Sequence, residues 1–267
     1  MNGIWSAVLT PIDRDFDPDA KCAVAYYRDL LANGIDGINL LGTTGEAMSF
    51  GRKQRIRLME AVAQKLPVER VMCGTGATSL ADAVALAQLA GELHFAAALV
   101  MPPFFFRDAH DDGVLRWFDA LLEKAPGAPA ILLYNFPKMS GITFRAELVD
   151  RLIAAFPGKI VGMKDSSNDE DLQRELLARH PELRVFPSTE GTLLEAKAYG
   201  AAGCISGSVA LWPQEAQRAF SEGDAEAAAY VKMQREGLAG VPLIAAMRDR
   251  VAAERNDDAW RRAMPPN

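Results

Sequence analysis

Along this chain, short unbroken apolar runs alternate with longer segments whose apolar positions recur at helical spacing. The runs Ile4–Val8, Gly37–Leu41, Val71–Gly74, Ala97–Met101, Ile131–Tyr134, Ile160–Lys164, Arg184–Pro187 and Gly203–Ser206 lack in–out alternation. That pattern predicts parallel strands covered on both faces. Between them, Asp19–Asn33, Gly51–Leu66, Leu80–Leu93, Asp111–Lys124, Arg145–Phe156, Asp169–Arg179, Leu193–Tyr199 and Pro213–Ser221 read as helices. Asn33–Gly34 is a stop signal, Pro67 ends the second helix, and Thr78–Ser79 can cap the third. This succession of β-then-α units predicts an α/β fold, a closed (β/α)8 TIM barrel over residues 1–222. Ala225–Gly237 and Pro242–Glu254 exceed what the last unit needs. They predict one or two extra C-terminal helices in an extension, residues 223–267, packed on the barrel. An open doubly wound sheet is the rival, but in its nucleotide fingerprint after Gly74–Thr75–Gly76, Ser79 stands where the third glycine belongs.

Composition narrows the function classes. The 267 residues are 49% hydrophobic and 24% charged, with a net charge of −6 and no basic run or acidic tail. Neither nucleic acid nor a membrane surface is an expected partner. No apolar stretch approaches the roughly 18 to 20 residues of a spanning helix, and Met1–Trp5 carries no basic segment leading into an apolar one. Cys22, Cys73 and Cys204 are odd in number and lie in or beside apolar runs, so buried, reduced thiols and a cytoplasmic location are expected. His94, His110 and His180 have no metal-ligand spacing to one another, so no metal is expected. The cysteines have no histidine nearby to activate a thiol, and Gly42–Glu46 lacks the ending of a phosphate loop.

Candidate chemistry sits at strand ends. The second strand runs into Gly42–Thr43–Thr44–Gly45–Glu46, the fifth ends on Tyr134 before Asn135–Phe136–Pro137, and the sixth ends on Lys164 before Asp165–Ser166–Ser167. Alone, a lysine closing a strand is usually a solvated rim residue, a tyrosine there is amphipathic packing, and Gly-Thr-Thr-Gly is a helix-capping turn. In a parallel barrel, however, all these ends open on one mouth, so the three groups converge.

The segments GTTGE (Gly42–Glu46), YNFPKMSG (Tyr134–Gly141) and GMKDSS (Gly162–Ser167), with Gly203–Gly207 later, resemble the dihydrodipicolinate synthase / N-acetylneuraminate lyase family in order and separation. The resemblance spans nearly the whole chain. It implies that Lys164 forms an imine with a 2-oxo acid such as pyruvate and that Tyr134 shuttles protons. It also places Thr44 in catalysis, with Thr43 and Thr44 on the substrate carboxylate. The chemistry needs these types: a free lysine has a pKa near ~10.4 and becomes nucleophilic at neutral pH only when burial lowers it. A protonated imine is an electron sink for C–C cleavage, and a phenol can move protons between its intermediates. Adjacent threonines offer hydroxyls and N–H groups to one carboxylate. No cofactor is implied, and the family's habit implies a homo-oligomer, dimer or tetramer.

Two positions depart from the lysine-biosynthesis branch of that family. Met139 stands where it carries an arginine, and the adjacent Lys138 should project differently. The loop Met101–Pro102–Pro103–Phe104–Phe105–Phe106 has no tyrosine to extend a proton relay into a neighbouring subunit. The phenylalanines are a ligand-facing wall, core or a subunit interface. Met139–Ser140–Gly141 is more similar to the aldolases of 2-oxo-3-deoxy sugar acids. Ser188, Glu190 and Ile205 then join the substrate-binding set, Ser188 and Glu190 offering hydrogen bonds to a polyol chain. Glu190 reads equally as the first-turn carboxylate of the next helix. The sequence thus predicts a class I aldolase/lyase that splits a 2-oxo-3-deoxy (sugar) acid into pyruvate and an aldehyde. The alternatives are dihydrodipicolinate synthase, a dehydratase of the same acids, and a non-catalytic 2-oxo acid-binding paralogue.

Overall fold

A computed structural model describes residues 1–107 and 109–266. Strands β1 (Gly3–Ala7), β2 (Gly37–Leu40), β3 (Val71–Gly74), β4 (Ala97–Val100), β5 (Ile131–Asn135), β6 (Ile160–Asp165), β7 (Arg184–Pro187) and β8 (Gly203–Ser206) pair in parallel, in the order β7-β6-β5-β4-β3-β2-β1-β8. The hydrogen bond from Ala202 N to Val185 O, 2.9 Å, links the two ends of this sheet and brings it round into a barrel. The helices around it are α1 (Ala20–Ala32), α2 (Arg52–Ala63), α3 (Leu80–Glu92), α4 (Asp111–Lys124), α5 (Pro137–Ser140), α6 (Ala146–Ala155), α7 (Glu170–Arg179), α8 (Leu193–Ala198) and α9 (Pro213–Glu222). After the barrel come α10 (Ala225–Glu236) and α11 (Leu243–Arg255). The fold is the TIM barrel with extra C-terminal helices that the alternation of runs predicts.

Buried side chains divide by strand parity. Trp5, Met72, Leu99, Leu132, Tyr134, Phe186 and Ile205 pack inside the barrel. Their neighbours, such as Ile4, Ile38, Leu133, Met163 and Cys204, pack outward against the helices. Runs without alternation are therefore explained, because both faces are dry. Trp5 fills the interior beside β2 only because Gly37 lacks a side chain; a Cβ there would come within 2.3 Å of the indole ring.

Several element ends differ from expectation. Strands β5 and β6 each run one residue further, to Asn135 and Asp165, which bond to each other. A register irregularity between Ile131 and Leu132 lets Val161 slip past the ladder, setting Tyr134 opposite Lys164 and Asn135 opposite Asp165. The helix α5 is unforeseen: Pro137 starts it and Gly141, at φ 73°, ends it. Cys73 and Cys204 are buried as expected, but Cys22, on the outer part of α1, is only half-buried. Among the described residues, no helix is long and apolar enough to cross a membrane.

Candidate active site

Lys164 and Tyr134 occupy inward-facing positions near the C-terminal ends of β6 and β5. Lys164 is only 4% exposed. Its Nζ donates to Tyr134 Oη at 3.4 Å and lies 4.5 Å from the centroid of the tyrosine ring. Tyr134 Oη in turn lies within hydrogen-bonding distance of Thr43 Oγ1, at 3.2 Å, where either hydroxyl can donate. Amine, phenol and alcohol thus form one connected line across the barrel mouth.

The threonine loop is held in a conformation that few sequences adopt. Leu41 and Glu46, which bracket it, both have left-handed backbones, at φ 54° and 52°. For residues with a Cβ, such geometry is costly and persists only where the surroundings impose it. Here Thr10 Oγ1 donates to Gly45 O at 2.9 Å. Leu41 O rests so closely on β3 that a Cβ on Gly74 would approach it to 2.1 Å. The strongest restraint comes from α11, where buried Arg248 donates to a Glu46 carboxylate oxygen and, at 2.9 Å, to Thr10 O. The other Glu46 oxygen accepts from Met264 N at 3.1 Å. The extension after the barrel therefore reaches the loop that carries Thr43.

A second clamp lies behind Lys164. Asp165 is buried and accepts from Asn135 Nδ2 (2.7 Å), Ser167 N (3.1 Å), Ser167 Oγ (2.7 Å) and Gln173 Nε2 (2.6 Å). The other end of the Asn135 amide accepts from Phe144 N at 3.1 Å. Four donors satisfy a buried carboxylate without a cation, and the Asn135 bond ties the β5 and β6 ends together one residue beyond Tyr134 and Lys164.

The remaining sequence-predicted residues are placed less uniformly. Thr44, expected in catalysis, is placed on the Gly207 side of the loop. Its hydroxyl lies by Gly207, where a Cβ would approach it to 2.8 Å, and the threonine bonded to Tyr134 is Thr43. Tyr134 takes its partner from the first threonine of the pair, and the sequence offers nothing to decide between two adjacent hydroxyls. Ile205 is wholly buried in the barrel interior. Ser188 is half-buried just after β7. Glu190 opens a short 3-10 turn that leads into α8, a first-turn carboxylate that is 1% exposed. Its Oε1 accepts from Ser208 Oγ at 2.6 Å, while its Oε2 is buried without a hydrogen-bond partner among the described residues. Burial, and next the charge of Glu190, push the Cys204 thiol well up, with Lys164 pulling the other way.

Thr43 and Tyr134 open on a cavity of about 330 Å³ between the loops after β2, β3 and β4, with Met139 and Ile244 on its walls. Ser188, Glu190 and Ile205 do not line it. A broader, shallower groove of about 600 Å³ lies over the start of α4, bounded by Arg107, His110 and Arg145, and none of the predicted site residues borders it. Among the described residues, no group of three or more His, Cys, Asp or Glu is arranged to hold a metal ion.

Comparison with known proteins agrees with this architecture. The model of the dihydrodipicolinate synthetase family matches residues 1–247. A Chloroflexus aurantiacus protein named an uncharacterized DapA-like lyase is 35% identical over 235 residues, covering 86% of this chain and 79% of the other. The 4-hydroxy-tetrahydrodipicolinate synthase of Thermosynechococcus vestitus is 31% identical over 236 residues, covering 86% and 78%. The crystal structure of dihydrodipicolinate synthase from Agrobacterium tumefaciens superposes with a TM-score of 0.93 at 30% identity, over 100% of this chain and 93% of that one.

Proposed function

The chain belongs to the dihydrodipicolinate synthetase family, whose members are pyruvate-dependent carbon–carbon lyases of the class I aldolase type, and from that premise we propose that Lys164 is its imine-forming residue. The observation that carries the proposal is the line Lys164–Tyr134–Thr43, whose amine and phenol are buried. The Lys164 amine adds to the carbonyl of pyruvate, and the carbinolamine loses water to give an imine. Loss of a C3 proton then yields an enamine. In the synthetic direction C3 attacks the aldehyde carbon, the aldehyde oxygen takes a proton through Tyr134, and water releases a 4-hydroxy-2-oxo acid. Cleavage is the reverse. Thr43, bonded to the phenol, keeps Tyr134 oriented and passes its proton on. The loop N–H groups and the Thr44 hydroxyl are assigned to the substrate carboxylate.

Several relatives are named as synthases, which favours aspartate semialdehyde as the aldehyde. Against that reading, Met139 offers no charge to a second carboxylate, and the loop after β4 has Phe104, Phe105 and Phe106 where a proton-relaying tyrosine would be needed. The sugar-acid form of the proposal leans on Ser188 and Glu190. Neither borders the cavity and Glu190 already bonds Ser208, so the proposal is made for 4-hydroxy-2-oxo acids as a class. A homo-oligomer belongs to the same proposal. Phe105 and Phe106, 75% and 72% exposed, support it as apolar surface awaiting a partner.

Pyruvate release from a set of 4-hydroxy-2-oxo acids tests this reading. Wild-type protein should release pyruvate, Lys164→Ala should release none above background, and Tyr134→Phe should retain imine formation with kcat lowered roughly 10²- to 10⁴-fold. Undiminished release by Lys164→Ala would refute it.

A further inference from the structure

The cavity beside Tyr134 has a chemistry of its own. Its walls include the side chains of Met48, Leu99, Met101, Phe104, Met139 and Ile244. The polar side chains at its edge are few: Thr43 and Tyr134, already bonded to each other; Ser49, exposed at the rim; and Glu46, bonded to Arg248 and Met264 N. No lysine, arginine or histidine side chain borders it among the described residues.

From this lining we infer that the aldehyde accepted by this enzyme carries an apolar body, aromatic or branched alkyl, which the cavity encloses. The inference rests on the pyruvate–imine reading of Lys164 and Tyr134 and adds the identity of the second substrate's chemical class. A polyhydroxy chain entering here would give up its water for thioether, aliphatic and aromatic walls, leaving hydroxyls without partners. An aldehyde with a carboxylate or phosphate would meet no cation and would lie near the Glu46 carboxylate. An apolar group loses nothing on entry and gains dispersion contacts with flexible Met48, Met101 and Met139, side chains suited to irregular shapes. The volume of about 330 Å³ is ample for a single ring or a branched chain of a few carbons. Tyr134 sets the orientation: its hydroxyl faces Lys164 Nζ while its side chain forms part of the cavity wall, so a carbonyl held at the phenol leaves its substituent in the cavity.

The test separates this inference from the reading beneath it. Exchange of the pyruvate methyl protons with deuterated water needs only the imine and enamine, not an aldehyde, and reports on Lys164 chemistry alone. Addition of pyruvate to benzaldehyde, isobutyraldehyde, D-glyceraldehyde and succinic semialdehyde then ranks the second substrates by kcat/KM. Glyceraldehyde is the more electrophilic, so intrinsic reactivity works against the expected order. The expected result is exchange together with at least a roughly tenfold preference for an apolar aldehyde over both polar ones, the scale on which one apolar pocket contact discriminates. Met139→Gln, at an exposed position, and Phe104→Gln, at a half-buried one, should each cut that preference several-fold. Exchange accompanied by a preference for glyceraldehyde or succinic semialdehyde would overturn the inference and leave the imine reading standing. Absence of exchange would overturn both.

Discussion

Arg248 lies on α11, far from Lys164 in sequence, and its replacement by methionine should reach the active site. The residue is 1% exposed, and its side chain holds Glu46, Thr10 O and, at 3.3 Å, Trp260 O. Methionine keeps much of the volume and removes the charge, leaving the Glu46 carboxylate buried with Met264 N as a remaining donor. Breaking one side of a buried pair costs about 3–5 kcal/mol, because the surviving charge is uncompensated. That is a large fraction of the roughly 5–15 kcal/mol by which a domain is usually stable. Glu46→Gln alone should cost a similar amount. The double variant should cost clearly less than the sum, by at least about 1 kcal/mol, because neither charge is then stranded. Urea denaturation of the four proteins gives the cycle. Because Glu46 fixes the end of the loop that carries Thr43 and Thr44, the KM for pyruvate should rise in Arg248→Met even where the protein remains folded. Single variants within about 0.5 kcal/mol of wild type, with additive effects, would show that the pair neither stabilises the extension nor sets the loop.

Asn135→Ala removes the bond that joins the β5 and β6 ends and strands Phe144 N–H. A loss of about 1–3 kcal/mol is expected in urea unfolding, with kcat falling more than the KM for pyruvate rises; unchanged kcat would separate this clamp from the chemistry. Burial pushes the Cys73 thiol up to about 12, against an ordinary 9.0, and the Cys204 thiol well up too. Native protein at pH 8 should therefore be alkylated by iodoacetamide at half-buried Cys22 first, and mass mapping that finds Cys73 or Cys204 equally modified would contradict the packing. The same shift sets a pH dependence. The folded state keeps the Cys73 proton while the unfolded chain releases it above about 9, so stability is intact below that value and falls as pH rises toward 12. The slope is about 1.4 kcal/mol per pH unit for this thiol. Cys73→Ala should flatten the alkaline decline in urea midpoint; an unaltered decline would assign it to other groups.

The barrel was legible because each strand is a short dry run and each helix has a polar outer face. The site was legible where its residues close strands: Tyr134 and Lys164 share a mouth as a consequence of parallel pairing alone. What depends on individual torsions was not legible. Which of Thr43 and Thr44 meets the phenol follows from left-handed Leu41 and Glu46, residues that carry no glycine-like signal. Asn135 and Asp165 follow the two central residues directly, and strand alternation turns them to the opposite face, where the pattern of the barrel interior carries no sign of their bond. Arg248 is one arginine in a helix that also carries Arg250 and Arg255, and only the tertiary fold distinguishes the buried one from the exposed. Glu190 does start a helical turn, but its burial and its bond from Ser208, a residue that follows β8, depend on tertiary packing that the local sequence does not signal.

The claim on which the rest depends is the covalent one, and borohydride trapping tests it most directly. Wild-type protein incubated with pyruvate, reduced, digested and mapped by mass should carry the reduced pyruvyl adduct on the peptide containing Lys164, with lost activity in proportion to the label. An enzyme that splits its substrate yet leaves Lys164 unmodified under these conditions would contradict the account.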